Sequence, residues 1–454
     1  MDQNNQYRDI DSYQAASQGN PKKEKDKGSF IGGIVVGMIG TLVIACVIIL
    51  IYWQVGNTAA KGSDEGERAS SSTRTTSSSK KNDKKGSKDS TDGFVTDEMV
   101  TKIDGLVETI RKEYFLDEVT DEQLENGLYK GLMNSLGDPY TEYYTPEEFN
   151  DLMQGSEGIY YGIGAYVSID DETQLPKIGV IFKESPAEKA GLQMNDLIYK
   201  IDGELTYGKT LTEVVSCIKG EENTDVVLTI IRNGEQKDLT ATRGKVETPT
   251  VEYKMLDDKM GYLQLMEFDD VSTKQFLDGM EDLYAQGMQG MILDLRANPG
   301  GNLSTVVQIA QNLLPKGTIV YTEDKEGQQR FYRCKGDKEI QIPLVVLIDG
   351  NSASASEILA GAIQDYKKGT IVGTKSFGKG IVQTIFDDKK DGSAIKITTS
   401  GYFTPNGRNI HKVGIEPDVV CEFDSEKYYD EENPIDNQLE KAKEVLADLM
   451  KQSK

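Results

Sequence analysis

Two short stretches of this chain carry side chains able to hydrolyse a peptide bond. Asn351-Ser352-Ala353-Ser354-Ala355-Ser356-Glu357 sets small hydroxyl residues between a predicted apolar strand, 342–349, and a predicted helix, 355–366. A serine at such a turn stands beside the free amides of a helix N-terminus, where an attacking hydroxyl and its oxyanion donors are needed. Ser376-Phe377-Gly378-Lys379-Gly380-Ile381-Val382-Gln383 then sets one lysine between two glycines, ahead of an apolar strand. A lysine serves as base only when neutral. Moving its pKa from about 10.4 to near 8 takes about 3 kcal/mol of desolvation or repulsion. Flanking Gly378 and Gly380 admit close backbone packing around it. The amide oxygen of Gln383 can accept from the lysine and aim it without adding a negative charge, which would raise the pKa.

Other chemistries fall away by residue type. The chain has one histidine, His411, which excludes HExxH metalloproteases and any site needing two histidines. His411 lies in the turn region 405–411, far from the serines in sequence, and reads as a surface or structural residue. Of four cysteines, Cys46 lies in an apolar segment, while Cys217, Cys334 and Cys421 are scattered. No CxxC pair exists, so neither a zinc site nor a disulfide framework is indicated, and no cofactor is expected. Serine with lysine remains, and the residues alone leave Ser352, Ser354 and Ser356 as competing nucleophiles. Oxyanion donors would be the amide of Ala355 and that of Gly300 or Gly301, in the strand-to-helix turn Asn298-Pro299-Gly300-Gly301.

S-A-S-A-S-E-I-x-A-G-A-x-Q-D followed by F-G-K-G-x-V-Q resembles the carboxy-terminal processing peptidases, or tail-specific proteases. These are Ser/Lys serine endopeptidases with a PDZ domain inserted before the protease core. The resemblance runs from about 94 to about 424, most of the chain. It implies Ser354 as nucleophile, since the spacing 379 − 354 = 25 fits the family. It implies Lys379 as base, Gln383 as the residue orienting the lysine, and Asp365 as the acid in the following helix, a position equally suited to a cap or an ion pair. It further implies an α/β core of the crotonase and Clp-protease kind. The substrates it implies are proteins or peptides with exposed C-termini.

The elements that must position these residues can be read along the chain. Residues 1–29 are polar and read as disordered; 30–53 are free of charge and long enough to cross a bilayer. Lys22, Lys23, Lys25 and Lys27 crowd the N-terminal side of that segment, and no Lys or Arg follows until Lys61. The positive-inside bias therefore predicts a single-pass cell-membrane anchor with a cytoplasmic N-terminus and an extracytoplasmic catalytic domain. Residues 54–93, rich in Ser, Thr, Lys, Gly and Asp, read as a disordered tether spanning on the order of 35 Å.

Residues 94–157 form a helical N-terminal region: Met99, Ile103, Leu106 and Ile110 share a face, and Leu124, Leu128 and Leu132 continue in a second helix. Gly137-Asp138-Pro139-Tyr140-Thr141 breaks it and matches a GDPYT motif of the family. Residues 158–245 read as the PDZ domain through S-P-A-x-x-A-G-L (185–192) and D-x-I-x-x-I-D-G (196–203). Gly162, Ile163 and Gly164 match its carboxylate-binding loop, which captures a C-terminus as an added strand docks. Met194-Asn195-Asp196 stands where the family usually shows Pro-Gly-Asp; Asn tolerates the positive φ of such a turn. Residues 246–425 alternate strands and helices as the peptidase core, and 426–454 carry a C-terminal helix.

With 51 basic and 75 acidic residues the net charge is −24, which argues against a nucleic-acid partner. The sequence leaves a homo-oligomer open. Two further readings stand beside the protease. One is a tethered PDZ adaptor with an inactive protease fold, against which the intact Ser354, Lys379 and Gln383 argue. The other is a crotonase-like enzyme on acyl thioesters, which the outward topology and the PDZ block disfavour.

Overall fold

The computed structural model describes residues 94–430 and 433–452. The expected anchor at 30–53, its flanking tail and the tether at 54–93 lie outside the described residues. Among the described residues no helix is long and apolar enough to cross a membrane. The chain divides at Gly105 into two compact units. The described part of the first is 94–105, which opens the helix Asp97–Glu113. In the second unit Asp121–Asn134 is helical, with Thr120 and Gln123 closing a capping box. Pro146–Glu157 is a third helix, capped by Thr145 and Glu148. It adds to the two helices expected in this region, and its T-P-E-E start carries the start signals for a helix.

The protease core is built on a six-stranded sheet. Its strands Met260–Leu265, Gly290–Asp294, Leu344–Ile348, Thr370–Gly373 and, at one edge, Val419–Val420 run parallel, with Val251–Met255 antiparallel at the other edge. Gly290–Asp294 and Leu344–Ile348 are buried throughout, as strands covered on both faces must be. Alternation divides their side chains between two cores. Met291, Leu293, Leu344, Val346 and Ile348 face a cluster shared with helices Ser272–Ala285, Leu303–Ala310 and Ala355–Asp365. Ile292, Val345, Leu347 and Val372 face the C-terminal helix Asn437–Gln452 through Ala442 and Leu446.

A second, antiparallel sheet carries the lysine region. Ile381–Asp387 pairs with the long strand Ala394–Phe403, which also pairs with Glu142–Tyr144 and Gly317–Asp324. The PDZ sheet has the order Ala165–Ile169, Pro176–Ile181, Leu197–Ile201, Asp225–Arg232, Glu235–Thr242. Ala165–Ile169 is thus an edge strand. Ala165 and Val167 pack on the same cluster as Val214 and Ile218 of the helix Leu211–Ile218. Asn195 has φ 70° in the Met-Asn-Asp turn, as its tolerance for that region allows. Asp196, buried beside it, is paired with Arg232 at 2.6 Å.

Candidate active site

The strand Leu344–Ile348 ends at Asp349, and the chain turns through 350–354 into the helix Ala355–Asp365. Ser354 has φ 55° and ψ −110°, a conformation a non-glycine residue holds only at a cost of about 1–3 kcal/mol. Its surroundings impose it. Ser354 N–H donates to Glu357 Oε2 at 2.9 Å, and Tyr402 Oη donates to the Ser354 carbonyl at 3.0 Å. The three competing serines now separate. Ser352 is buried, donates to the Leu295 carbonyl at 2.8 Å and accepts from Asp349 N–H at 2.9 Å. Ser356 is buried and donates to the Asn298 carbonyl at 3.0 Å. Ser354 is half-buried and open to solvent.

The turn 296–301 is bound to the serine turn. Buried Asn298 accepts from Ala353 N–H at 3.0 Å through its carbonyl, and its side-chain amide donates to the Leu265 carbonyl at 2.7 Å. Gly300 lies so close that a Cβ there would sit 2.8 Å from Ser354 Cβ and 3.0 Å from Ala355 N. Gly300 N–H is already taken by Asn298 Oδ1 at 2.9 Å. Among the described residues no hydrogen-bond partner meets Ala355 N–H or Gly301 N–H. Of the three expected oxyanion donors, two amides are therefore open and Gly300 is occupied. Beneath the turn, Arg296 bridges buried Asp294 at 2.6 Å and Asp436 at 2.7 Å, tying it to the residues just before the C-terminal helix.

Sequence reasoning missed Glu357. This fully buried carboxylate accepts from Ser354 N–H, from Gly378 N–H at 2.7 Å, from Lys379 N–H at 2.8 Å and from Ser376 Oγ at 2.5 Å. One side chain thus clamps Ser354 and the Lys379 loop by their backbones. The S-x-x-E spacing of a capping box was the available signal. The loop needs its glycines because 411–414 passes against it: a Cβ on Gly380 would lie 2.4 Å from His411 N. His411, distant in sequence, therefore packs beside the lysine loop, and its buried Nδ1 has no hydrogen-bond partner in the described structure.

Lys379 is half-buried, and its Nζ lies 4.4 Å from the centroid of the Tyr140 ring. Burial lowers its pKa and the Lys396 ammonium adds to this, against the opposing pull of Asp138, Glu142 and Glu357. Among the described residues no hydrogen bond joins Lys379 Nζ to Ser354 Oγ or to Gln383. Gln383 instead donates to Thr398 Oγ1 at 3.1 Å, and Thr398 donates to Asp138 at 2.6 Å. Asp365 stands at the far end of the helix from Ser354, roughly 16 Å of axial rise away. It is ion-paired with Arg408 and accepts from Asn406 N–H at 2.8 Å. The structure thus brings Ser354, Ala355, Gly300 and Gly301 together, ties the Lys379 backbone to them, and leaves Asp365 apart.

In the PDZ domain Gly162 ends the strand Ile159–Gly162, and the loop continues through Ile163 and Gly164. The carbonyls of Ile163 and Gly164 accept from Ala187 N–H at 2.7 Å and Phe182 N–H at 3.0 Å. Their own N–H groups have no partner among the described residues. The loop opens onto the edge strand Ala165–Ile169 beside the helix Leu211–Ile218. The inserted domain joins the core where Thr248 N–H meets the Gly158 carbonyl at 2.8 Å. Just before that joint, Ser156 donates to Asn302 Oδ1 and Asn302 Nδ2 donates to the Ser156 carbonyl, both at 2.8 Å. Asn302 directly follows Gly301, so the PDZ joint touches the turn 298–301.

Known proteins match this arrangement. A family profile described as Peptidase family S41 matches residues 259–421, one described as PDZ domain matches 178–232, and one described as Activating protease CtpB N-terminal domain matches 55–148. A "Carboxyl-terminal-processing protease" of Synechocystis sp. is 36% identical over 343 residues, covering 74% of this chain and 80% of that protein. A "Probable CtpA-like serine protease" of Staphylococcus aureus is 32% identical over 394 residues, covering 86% of this chain and 72% of that one. The solved photosystem II D1 C-terminal processing protease is 31% identical, with a TM-score of 0.42, over 70% of this chain and 86% of its own. With its S41 core and inserted PDZ domain, this chain belongs to peptidase family S41, among the carboxyl-terminal-processing serine proteases.

Proposed function

We propose that the protein is a membrane-anchored, extracytoplasmic endopeptidase that cleaves protein chains near or from their C-terminal tails, with Ser354 as nucleophile and Lys379 as base. The observation that carries this reading is the serine turn: a half-buried hydroxyl in a strained conformation, locked against Gly300, with the Ala355 amide at the adjoining helix start and the Gly301 amide of the glycine turn both unpartnered among the described residues. Ser354 Oγ attacks the scissile carbonyl and gives its proton to neutral Lys379 Nζ. The two amides receive the oxyanion, the lysine returns the proton to the leaving amine, and water then releases the acyl group by the same route. Gln383 orients the lysine. The burial that lowers the Lys379 pKa enlarges the neutral fraction at a given pH, so the rate rises on the alkaline side with a midpoint below that of free lysine. Asp365, on its contacts, acts by holding the 404–408 loop. The PDZ domain reads the tail: the Ile163 and Gly164 amides suit a terminal carboxylate, and the Ala165–Ile169 edge suits an added strand. Anchoring rests on the charge-free segment 30–53 behind its cluster of lysines.

The test is proteolysis of an unfolded protein by Ser354→Ala and Lys379→Ala in parallel with the unaltered enzyme. Both variants are expected to fold and to be inactive; activity retained in either one overturns the dyad, and an inactive unaltered enzyme leaves the PDZ adaptor.

A further inference from the structure

The motif Gly137-Asp138-Pro139-Tyr140-Thr141 has no part in the chemistry described so far, yet it lies against the base. Asp138 fixes the motif in place. Its Oδ1 accepts from Tyr140 N–H at 3.0 Å, and its Oδ2 accepts from Thr141 Oγ1 at 2.7 Å and Thr398 Oγ1 at 2.6 Å. Thr398 N–H donates to Thr141 Oγ1 at 3.2 Å. Thr398 lies opposite Gln383 in the strand pair and accepts from its amide, so the same loop also holds the residue expected to aim the lysine. The Tyr140 ring is thus pinned through its backbone beside Lys379, whose Nζ stands 4.4 Å from the ring centroid and makes no hydrogen bond among the described residues.

An aromatic face attracts an ammonium and has no comparable hold on a neutral amine. The serine needs the opposite form, because only the amine can take its proton. Ring and hydroxyl therefore compete for one nitrogen in its two protonation states. We propose that Tyr140 is the resting seat of the Lys379 ammonium, holding the side chain off Ser354 in the free enzyme until bound substrate draws Nζ from the ring to the hydroxyl. This rests on the reading of Lys379 as base. Tyr140 is a positioning residue, acting through the lysine.

The charged groups around Lys379 come from four elements. Asp138 precedes the strand Glu142–Tyr144, which contributes Glu142; Glu357 lies on the nucleophile helix; these three favour the ammonium. Lys396, on the strand Ala394–Phe403 and itself paired with Glu142 at 2.6 Å, favours the amine together with burial.

The test compares pH profiles of the full chain and its Tyr140→Leu and Tyr140→Phe variants on one peptide substrate. Leucine keeps the apolar cover and removes the ring; phenylalanine keeps the ring and removes the hydroxyl. The profile of kcat/KM reports the free enzyme and that of kcat the bound complex. In Tyr140→Leu the alkaline-rising limb of kcat/KM is expected to move down by about 0.5–1 pH unit, while the kcat limb stays in place. Tyr140→Phe is expected to match the unaltered enzyme in both. An unmoved kcat/KM limb in Tyr140→Leu, an equal shift in Tyr140→Phe, or a kcat limb that moves with kcat/KM each overturns the proposal. Tyr140→Met replaces the leucine variant if that one does not fold. Inactive Ser354→Ala and Lys379→Ala together with an unmoved limb would reject the resting seat alone, whereas an active Lys379→Ala would reject the dyad beneath it.

Discussion

The serine half and the lysine half of the candidate site are built on different principles. Around Ser354 the positions are fixed by backbone and by buried side chains: Glu357 and Tyr402 hold its amide and carbonyl, and Asn298 holds the neighbouring turns together. The lysine and glutamine reach inward from the margin of a sheet whose strand Ile381–Asp387 grows steadily more exposed, and both side chains have other partners, Tyr140 and Thr398. Oxyanion donors stabilise charge best when they need not move, so a fixed serine half suits the donor role proposed for the Ala355 and Gly301 amides. On the proposed mechanism Lys379 has to change both partner and protonation state in each cycle, and its backbone bond to Glu357 leaves the side-chain tip outside that clamp. Glu357 is the group that belongs to both.

The strongest way to break that comparison is to remove the shared clamp. Glu357→Ala leaves three backbone amides and the Ser376 hydroxyl without their acceptor in a buried site. At about 1–3 kcal/mol for each unsatisfied group, the loss is comparable with the whole stability of a domain. The expected outcome is loss of a folded protease core, seen as the disappearance of its cooperative thermal transition. Glu357→Gln keeps an acceptor oxygen and the shape. It is expected to fold but to lose about 100-fold in kcat, because the serine and the lysine loop are no longer held to one point. Full activity in Glu357→Gln would show that the two halves are positioned independently.

Gln383→Ala probes the lysine half alone. The lysine keeps its burial and its backbone bond to Glu357, so orientation is lost and the base is retained. A fall of about 10-fold in kcat/KM is expected, with the melting temperature nearly unchanged. Thr398→Val should lower activity in the same range, since Thr398 joins Gln383 to Asp138. If Gln383→Ala were as inactive as Lys379→Ala, the glutamine would be part of the chemistry and the lysine half as tightly specified as the serine half.

How far this architecture can be read from the sequence follows the same division. The buried parallel strands, the helix Ala355–Asp365 and the PDZ elements show in apolar runs and turn residues, because burial on both faces leaves a strong pattern. The antiparallel strands Gly317–Asp324 and Gln329–Cys334 were not read, since half-exposed strands such as the latter carry mixed residues. The three adjacent serines could not be separated by type; what separates them is which hydroxyls are spent on the carbonyls of Leu295 and Asn298, long-range contacts that no local pattern encodes. By type and place Glu357 is an ordinary helix-start acid. Its role depends on a loop some twenty residues later folding back onto it, and so do the positions of Tyr140 and His411 beside the lysine loop.

The smallest expected effect concerns the joint between the PDZ domain and the serine half. Asp269 is buried beside Gly158 and near Asn302, in the loop that follows the strand Met260–Leu265. Burial, reinforced by Glu267 and Asp270, raises its pKa from 3.8 to about 7. A carboxyl whose pKa is higher in the folded state binds its proton more tightly there than in the unfolded chain. Stability from this group is therefore complete below about pH 4 and is lost as pH rises toward 7, where the native state must either hold a buried charge or pay to keep the proton. Asp269→Asn mimics the protonated form at every pH. The variant should melt with the unaltered protein below about pH 4 and gain on it steadily up to about pH 7. Above that the advantage should level off at on the order of 1–3 kcal/mol. Thermal melts from pH 4 to 8 measure the difference directly. A constant offset, or one that grows toward low pH, would mean that Asp269 is ionised in the folded protein and that the joint, like the serine turn with its buried Glu357 carboxylate, is held by charge.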